Sequence, residues 1–258
     1  MTTTPDDPRA ERPAAPRDAA YWSRSVDRLT VSGVSPDAIN LNVQGRRAVG
    51  PLQGFGPLWQ KTYRVRLPGD AATPAELIAT WKERFPEFWP RGNRFYAPLS
   101  GIAPGEVAVL NLAMPGGLPL STGVLVLYAD EESFTLMTPQ GHMFSGWITF
   151  SAYREEGEDG EDGCTVAQAQ VLMRANDPLY ELGLRLGGHR QEDVFWARTL
   201  AALAAHFGVT EPVETRVVCV DRRLQWSQAR NVWHNAAMRT AVYVVASPLR
   251  RARTLIGR

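Results

Sequence analysis

A chain of 258 residues with 44% hydrophobic and 21% charged side chains can bury a full core, which excludes an unfolded or fibrous class. Its net charge of +1 argues neither for nor against nucleic acid, but the charge is unevenly spread. From Pro212 onward nine arginines stand against Glu214 and Asp221, a balance of +7, which leaves about −6 (1 − 7) for the first 211 residues.

The remaining bulk features narrow the setting. Arginine outnumbers lysine 26 to 2, a sign of a GC-rich genome more than of a binding chemistry. Cys164 and Cys219 are too few and too isolated for a disulfide framework or a metal knuckle, which points to a reducing, cytoplasmic environment. The first residues, MTTTPDDPRAERPAAPRDAA, lack the apolar centre of a signal peptide. No run approaches the roughly 18 apolar residues of a membrane span, so the expectation is a soluble or at most peripheral protein.

Taken in order, residues 1–20 carry balanced charge and four prolines and are expected to be disordered. Tyr21 and Trp22 supply the first anchor of an irregular wrap over 21–58, rich in Gly, Asn and Pro. Trp59 to Leu67 alternates polar and apolar residues and predicts the first strand. Thr73-Pro74-Ala75-Glu76 is a helix start with a capping box, and Leu77, Ile78, Trp81 and Phe85 recur at helical spacing behind it. A short helical turn is expected around Phe88 and Trp89.

Strands then dominate: Arg94 to Leu99, Glu106 to Met114, Ser121 to Ala129, Ser133 to Pro139, Met143 to Tyr153 and Cys164 to Ala175. The acidic stretch Glu155 to Gly163 reads as a solvated hairpin tip, because its charges lack the spacing of a calcium loop. Pro178 to Leu186 and Gln191 to Phe207 form a long helix, capped by Asn176 or Asp177 and broken at Gly187-Gly188. Trp196, Leu200, Leu203 and Phe207 make its core stripe, and Gly208 ends it. Residues 212–258 add a strand over Thr215 to Val220 and a helix over Trp226 to Val245 that Pro248 breaks.

This order, a strand, a helix pair, a six-strand meander and a long helix, is that of the helix-grip fold. Trp59 to Val209 accordingly resembles the START-like (SRPBCC) superfamily, which includes polyketide cyclases, plant hydrophobic-ligand binders and lipid carriers. The stretch FTLMTPQGHMFSGWITF is similar to a poorly characterised bacterial branch in which a GH turn precedes a Gly-aromatic strand. The fold class expected is therefore α+β, about seven antiparallel strands curved around a long helix over 59–211, with the strand-helix extension at 212–258. The resemblance implies a cavity between the concave sheet face and that helix. The wrap and the basic extension fall outside its pattern.

The strands support a covered sheet independently. VLVLY (Val124 to Tyr128) and much of Val107 to Leu112 are apolar on both faces, whereas a strand with one wet face alternates. The C-terminal extension is the first candidate for the cover, and a homodimer partner the second.

Candidate chemistry centres on His142, in the turn before Trp147, as a ligand hydrogen-bonding group or an acid/base. The bland alternative is a turn histidine bonded to its own backbone. His189 follows a glycine pair and could reach the same space; His206 and His234 read as structural or surface groups. Trp147, Trp196, Phe150, Met137, Tyr96 and Tyr128 are candidates for an apolar lining, and Arg94 or Asn111 for its polar end. No HxH, HxxxH, HExxH, CxxC, GxSxG, GxGxxG or P-loop pattern exists, so neither metal nor cofactor is expected. Nucleic acid is not expected either, because the aromatics of the basic end are not interleaved with its arginines. The leading expectation is non-catalytic binding of a hydrophobic small molecule or lipid. A cyclase/dehydratase-type enzyme comes second, and a peripheral membrane or scaffold protein acting on an anionic surface through Trp226 to Arg258 third.

Overall fold

The computed structural model describes residues 19–35, 37–69, 71–114, 119–157 and 163–256, with side chains up to 246. The tail at 1–18, the tip of the acidic loop at 158–162 and the basic side chains beyond 246 lie outside the described residues.

Alternation decides the first strand. In β1 (Leu58–Pro68), Tyr63, Val65 and Leu67 point inward and are buried, while Gln60, Thr62, Arg64 and Arg66 point outward. Seven further strands follow: β2 (Arg94–Tyr96), β3 (Val107–Ala113), β4 (Pro119–Ala129), β5 (Ser133–Met137), β6 (Phe144–Glu155), β7 (Cys164–Ala175) and β8 (Glu214–Asp221). They form one antiparallel sheet in the order β2-β3-β4-β5-β6-β7-β1-β8. The expected seven strands thus gain an eighth, because the strand of the C-terminal extension pairs along β1, from Trp59 with Cys219 to Arg64 with Glu214. Buried Arg174 locks its end, donating to the carbonyls of Gly56 and Arg223 at 2.6 and 2.9 Å and to Asp221 at 2.7 Å.

The helices start where their caps predict. Thr73 Oγ1 accepts from the Glu76 N–H at 3.3 Å, and Glu76 Oε2 accepts from the Thr73 N–H at 2.9 Å, opening α1 (Pro74–Arg84). Asp177 Oδ1 accepts from the N–H groups of Leu179 and Tyr180 and opens α2 (Pro178–Gly183). A widened turn over Leu184–Gly188, with Gly187 at φ 125°, joins it to α3 (His189–His206). The predicted break is therefore a bulge in a continuing helix, and a side chain at 187 would be strained.

The inner sheet face holds the main core. Leu77, Ile78 and Trp81 of α1 and Leu200, Leu203 and Ala204 of α3 pack on Ala108, Leu110, Val126, Phe134, Phe150 and Ala169. The outer face of β3 and β4 holds a second core, as the two-sided apolar strands require. There Val107, Val109 and Leu125 meet Leu29 and Val43. The cover is thus the N-terminal wrap rather than, as expected, chiefly the C-terminal extension. The apolar side chains of the wrap reach that face, whereas α4 (Ala236–Ile256) meets β4 through polar groups, Thr240 Oγ1 accepting from the Ser121 N–H at 3.3 Å.

The extension differs from expectation at both ends. Trp226–His234 forms a run of tight 3-10 turns, and the α-helix begins only at Ala236, where Asn235 Oδ1 accepts from the Met238 N–H at 3.0 Å. Pro248 does not stop α4, which runs on to Ile256. A proline removes one hydrogen bond and bends a helix without having to end it.

Candidate functional site

Strand parity separates the residues that sequence patterning grouped together. Phe150, Trp196 and His189 lie inside the grip. Arg94, Tyr96, Asn111, Tyr128, Met137 and Trp147 belong to the outer positions of β2 to β6, alternating with the inward Phe95, Leu110, Ala129, Leu136 and Ile148. Tyr128 packs against Tyr21 and Trp22, with ring centroids 6.3 and 4.7 Å away. Met137 and Trp147 pack over Gly50 of the wrap. Six of the ten candidates therefore face away from the helix.

His142 is buried in the β5–β6 turn, where its Nδ1 accepts from the Phe144 N–H at 3.0 Å. Burial pushes its pKa down to about 4, so the ring is neutral at pH 7. The same turn seats the C-terminal extension. The Gly141 carbonyl accepts from the Ala236 N–H at 2.9 Å, and a Cβ on Gly141 would stand 2.1 Å from the His234 carbonyl oxygen.

Most of the space inside the grip is filled. Phe134 and Phe150 stack at 4.6 Å, Trp81, Phe85 and Trp196 meet them edge-on at 5.0 to 6.0 Å, and Trp89 and Phe95 extend the cluster from Phe85. The apolar lining foreseen for a cavity is here largely a packed core.

The exception lies where β1 passes under the start of α3. Lys61 continues the inward row of Tyr63, Val65 and Leu67, and it is fully buried. Its Nζ donates to Glu192 Oε2 at 2.8 Å, to Asp193 Oδ1 at 2.7 Å and to the His189 carbonyl at 3.3 Å. Tyr63 OH donates to Asp193 Oδ1 at 2.7 Å. His189 lies edge-on to Trp59 at 5.1 Å. Around this ammonium, three buried polar atoms have no protein partner: Trp59 Nε1, His189 Nδ1 and Glu192 Oε1. An unmet buried polar atom costs roughly 1–3 kcal/mol; the indole N–H groups of Trp81 and Trp89 in the aromatic core are two more of them.

The electrostatics follow from burial. It raises the Glu192 carboxyl to about 7 against the pull of Lys61, with Asp193 adding repulsion. One proton on Glu192 makes the Lys61–Glu192–Asp193 group neutral, the cheaper state in a low-dielectric site. Burial, and then the Lys61 charge, lower His189 to about 4. Burial pushes the Tyr63 phenol far up, helped by Glu192 and Asp193. The group is reachable from solvent, because the Asp193 side chain is 31% exposed and Val217, beside Lys61 on β8, is 44% exposed.

Lys61, Tyr63, Glu192 and Asp193 were missed by sequence patterning, although a lysine on the apolar side of an alternating strand was a readable signal. Among the described residues no group of His, Cys, Asp and Glu has an arrangement that could hold a metal ion, and no helix is long and apolar enough to cross a membrane.

No protein-family model matches the chain, and no curated protein matches it in sequence. Solved structures do. A di-domain ARO/CYC protein, StfQ from the steffimycin biosynthetic pathway, aligns at 12% identity and a TM-score of 0.43 over 59% of this chain and 53% of its own. The chain thus spans about half the length of that protein. Ms6760 from Mycobacterium smegmatis aligns at 12% identity and a TM-score of 0.41, over 69% of this chain and 98% of its own. Ara h 8.0201 aligns at 14% and 0.32, over 57% and 97%. The α+β architecture of the chain rests on its own strand order and register.

Proposed function

We propose that the protein binds an apolar small molecule carrying a hydroxyl group, seated at the mouth between β1 and the first turns of α3, without transforming it. The observation that carries this is the trio of unpartnered buried atoms around Lys61. The indole N–H of Trp59 can only donate, whereas Glu192 Oε1 accepts when the carboxyl is ionised and can donate when it carries its proton. A hydroxyl both accepts and donates, so one such group meets both. The three donors of Lys61 are already taken, which leaves the ammonium as a fixed local charge rather than a ligand contact. The ring of Trp59, edge-on to His189, offers the apolar part its surface. Native mass spectrometry of protein purified without denaturation tests the proposal. A copurified adduct present in the wild type and absent in Lys61→Met/Glu192→Leu supports it; a bare wild type, or an adduct equally retained by the double variant, removes it.

A cyclase/dehydratase-type reaction is the second reading, favoured by a carboxyl near 7 beside a neutral imidazole. In it Glu192 transfers the proton and Lys61 steadies the charge that develops. Glu192→Gln then binds the substrate but does not convert it, whereas unchanged turnover in that variant excludes the reading.

A further inference from the structure

A second cleft, of about 450 Å³, lies away from the grip, where the wrap, the β5–β6 turn and the C-terminal extension meet. Arg28, Arg46, Arg47, Gln140, His234 and Arg239 line it, with no carboxylate among the lining residues. The guanidiniums are held by neutral partners. Arg28 Nη1 donates to the Gly45 carbonyl at 2.9 Å, and Arg46 Nη1 lies 3.1 Å from His234 Nδ1. Arg239 Nε donates to Asn42 Oδ1 at 3.0 Å. Asn42 is buried and fixed from its other side, its Nδ2 donating to the carbonyls of Ser121 and Ala236 and to Thr240 Oγ1.

These contacts aim the side chains without neutralising them. Half-buried Arg46 is destabilised as a cation by desolvation and by the charge of Arg239, and among the described residues none of the four arginines forms a salt bridge. Charges gathered in a concave site without counter-charge repel one another until an anion enters. Guanidinium forks match tetrahedral oxyanions, donating two parallel hydrogen bonds each. The walls are also tied together, since the Gln140 N–H donates to the Arg47 carbonyl at 2.8 Å and Gly141 closes on His234.

We propose that this cleft binds a phosphoryl group, with Arg46 and Arg239 as its principal ligands and Arg28 and Arg47 closing over it. It uses no residue of the β1–α3 mouth and stands or falls separately. The test is isothermal titration of the full chain with inorganic phosphate and pyrophosphate at fixed ionic strength. Saturable binding is expected, weakened at least about tenfold in Arg46→Gln and in Arg47→Gln and unchanged in Arg216→Gln on β8. Arg47→Gln matters because, among the described residues, that side chain makes no structural hydrogen bond or ion pair to lose. Parallel arms with glycerol phosphate in solution and with phosphatidylcholine vesicles carrying phosphatidic acid identify the source. Arginine-dependent binding in either arm supports the proposal and says whether the phosphoryl group is free or borne by a lipid. Binding that does not saturate, or that falls equally in Arg216→Gln, overturns it.

Discussion

The two halves of α3 lie on the same sheet and bury opposite chemistry. Over its second half, Leu200, Leu203 and Ala204 are inaccessible and meet an aromatic core whose unmet polar atoms include the indole N–H groups of Trp81 and Trp89. Over its first turns the same stripe carries His189, Glu192 and Asp193, grouped around a buried lysine, with unmet polar atoms and an opening to solvent. The first arrangement stabilises the fold. The second costs stability, since buried ion pairs seldom outweigh an apolar replacement, and a costly group in a half-open mouth is characteristic of a functional site.

The largest expected effects come from breaking either half alone. Phe150→Ala empties the packed half and should cost about 3–5 kcal/mol in denaturant unfolding, as truncated core aromatics do. Lys61→Ala should cost a similar roughly 3–5 kcal/mol, because it leaves two carboxylates without their cation. The halves then separate: Lys61→Met/Glu192→Leu should be neutral or stabilising by up to about 4 kcal/mol while losing the ligand, and no change at Phe150 can do that. A double variant as unstable as Lys61→Ala would show the polar group to be structural.

Acid draws the same line with a smaller effect. An unfolded chain protonates His142 and His189 near the ordinary 6.5, whereas the folded chain holds both at about 4. Stability contributed by the neutral rings is therefore lost as pH falls from about 6.5 to 4, by up to roughly 3 kcal/mol for buried His142. Glu192 works in the other direction. Its folded carboxyl binds a proton at about 7, above its ordinary 4.5, so stability rises as pH falls between those values. Glu192→Gln should thus steepen the acid loss between pH 7 and 4.5, and His142→Gln should flatten it; the opposite slopes in chemical denaturation would contradict these protonation states. The smallest effect belongs to the outer face, where Arg94→Ala should change stability by less than about 0.5 kcal/mol and leave ligand binding untouched.

The elements themselves were legible because their signals are local. The Thr73 capping box, the Asp177 cap, the β1 alternation and the glycine pair at 187–188 each act within a few residues. Which face of each strand turns inward was not legible in β3 and β4, since both faces are apolar and the wrap covers the second. That ambiguity placed Tyr128 of β4 on the wrong side of the sheet, whereas Trp147 and Phe150, three apart on β6, must face opposite sides, a parity that grouping them overlooked. Lys61 was overlooked because lysines on apolar faces normally extend their ammonium to water, and its partners Glu192 and Asp193 read as ordinary acids in a helix's first turn. Burying all three together needed the tertiary contact of β1 with α3, which no local pattern encodes.

The central claim concerns which half of the grip receives a ligand. The indole N–H groups of Trp59 and Trp81 are both buried without a protein partner, one in each half. Comparing their ¹H–¹⁵N resonances in protein as purified and after its ligand is stripped decides between them. A shift at Trp59 with Trp81 unmoved is the predicted result; a shift at Trp81 with Trp59 unmoved would contradict it.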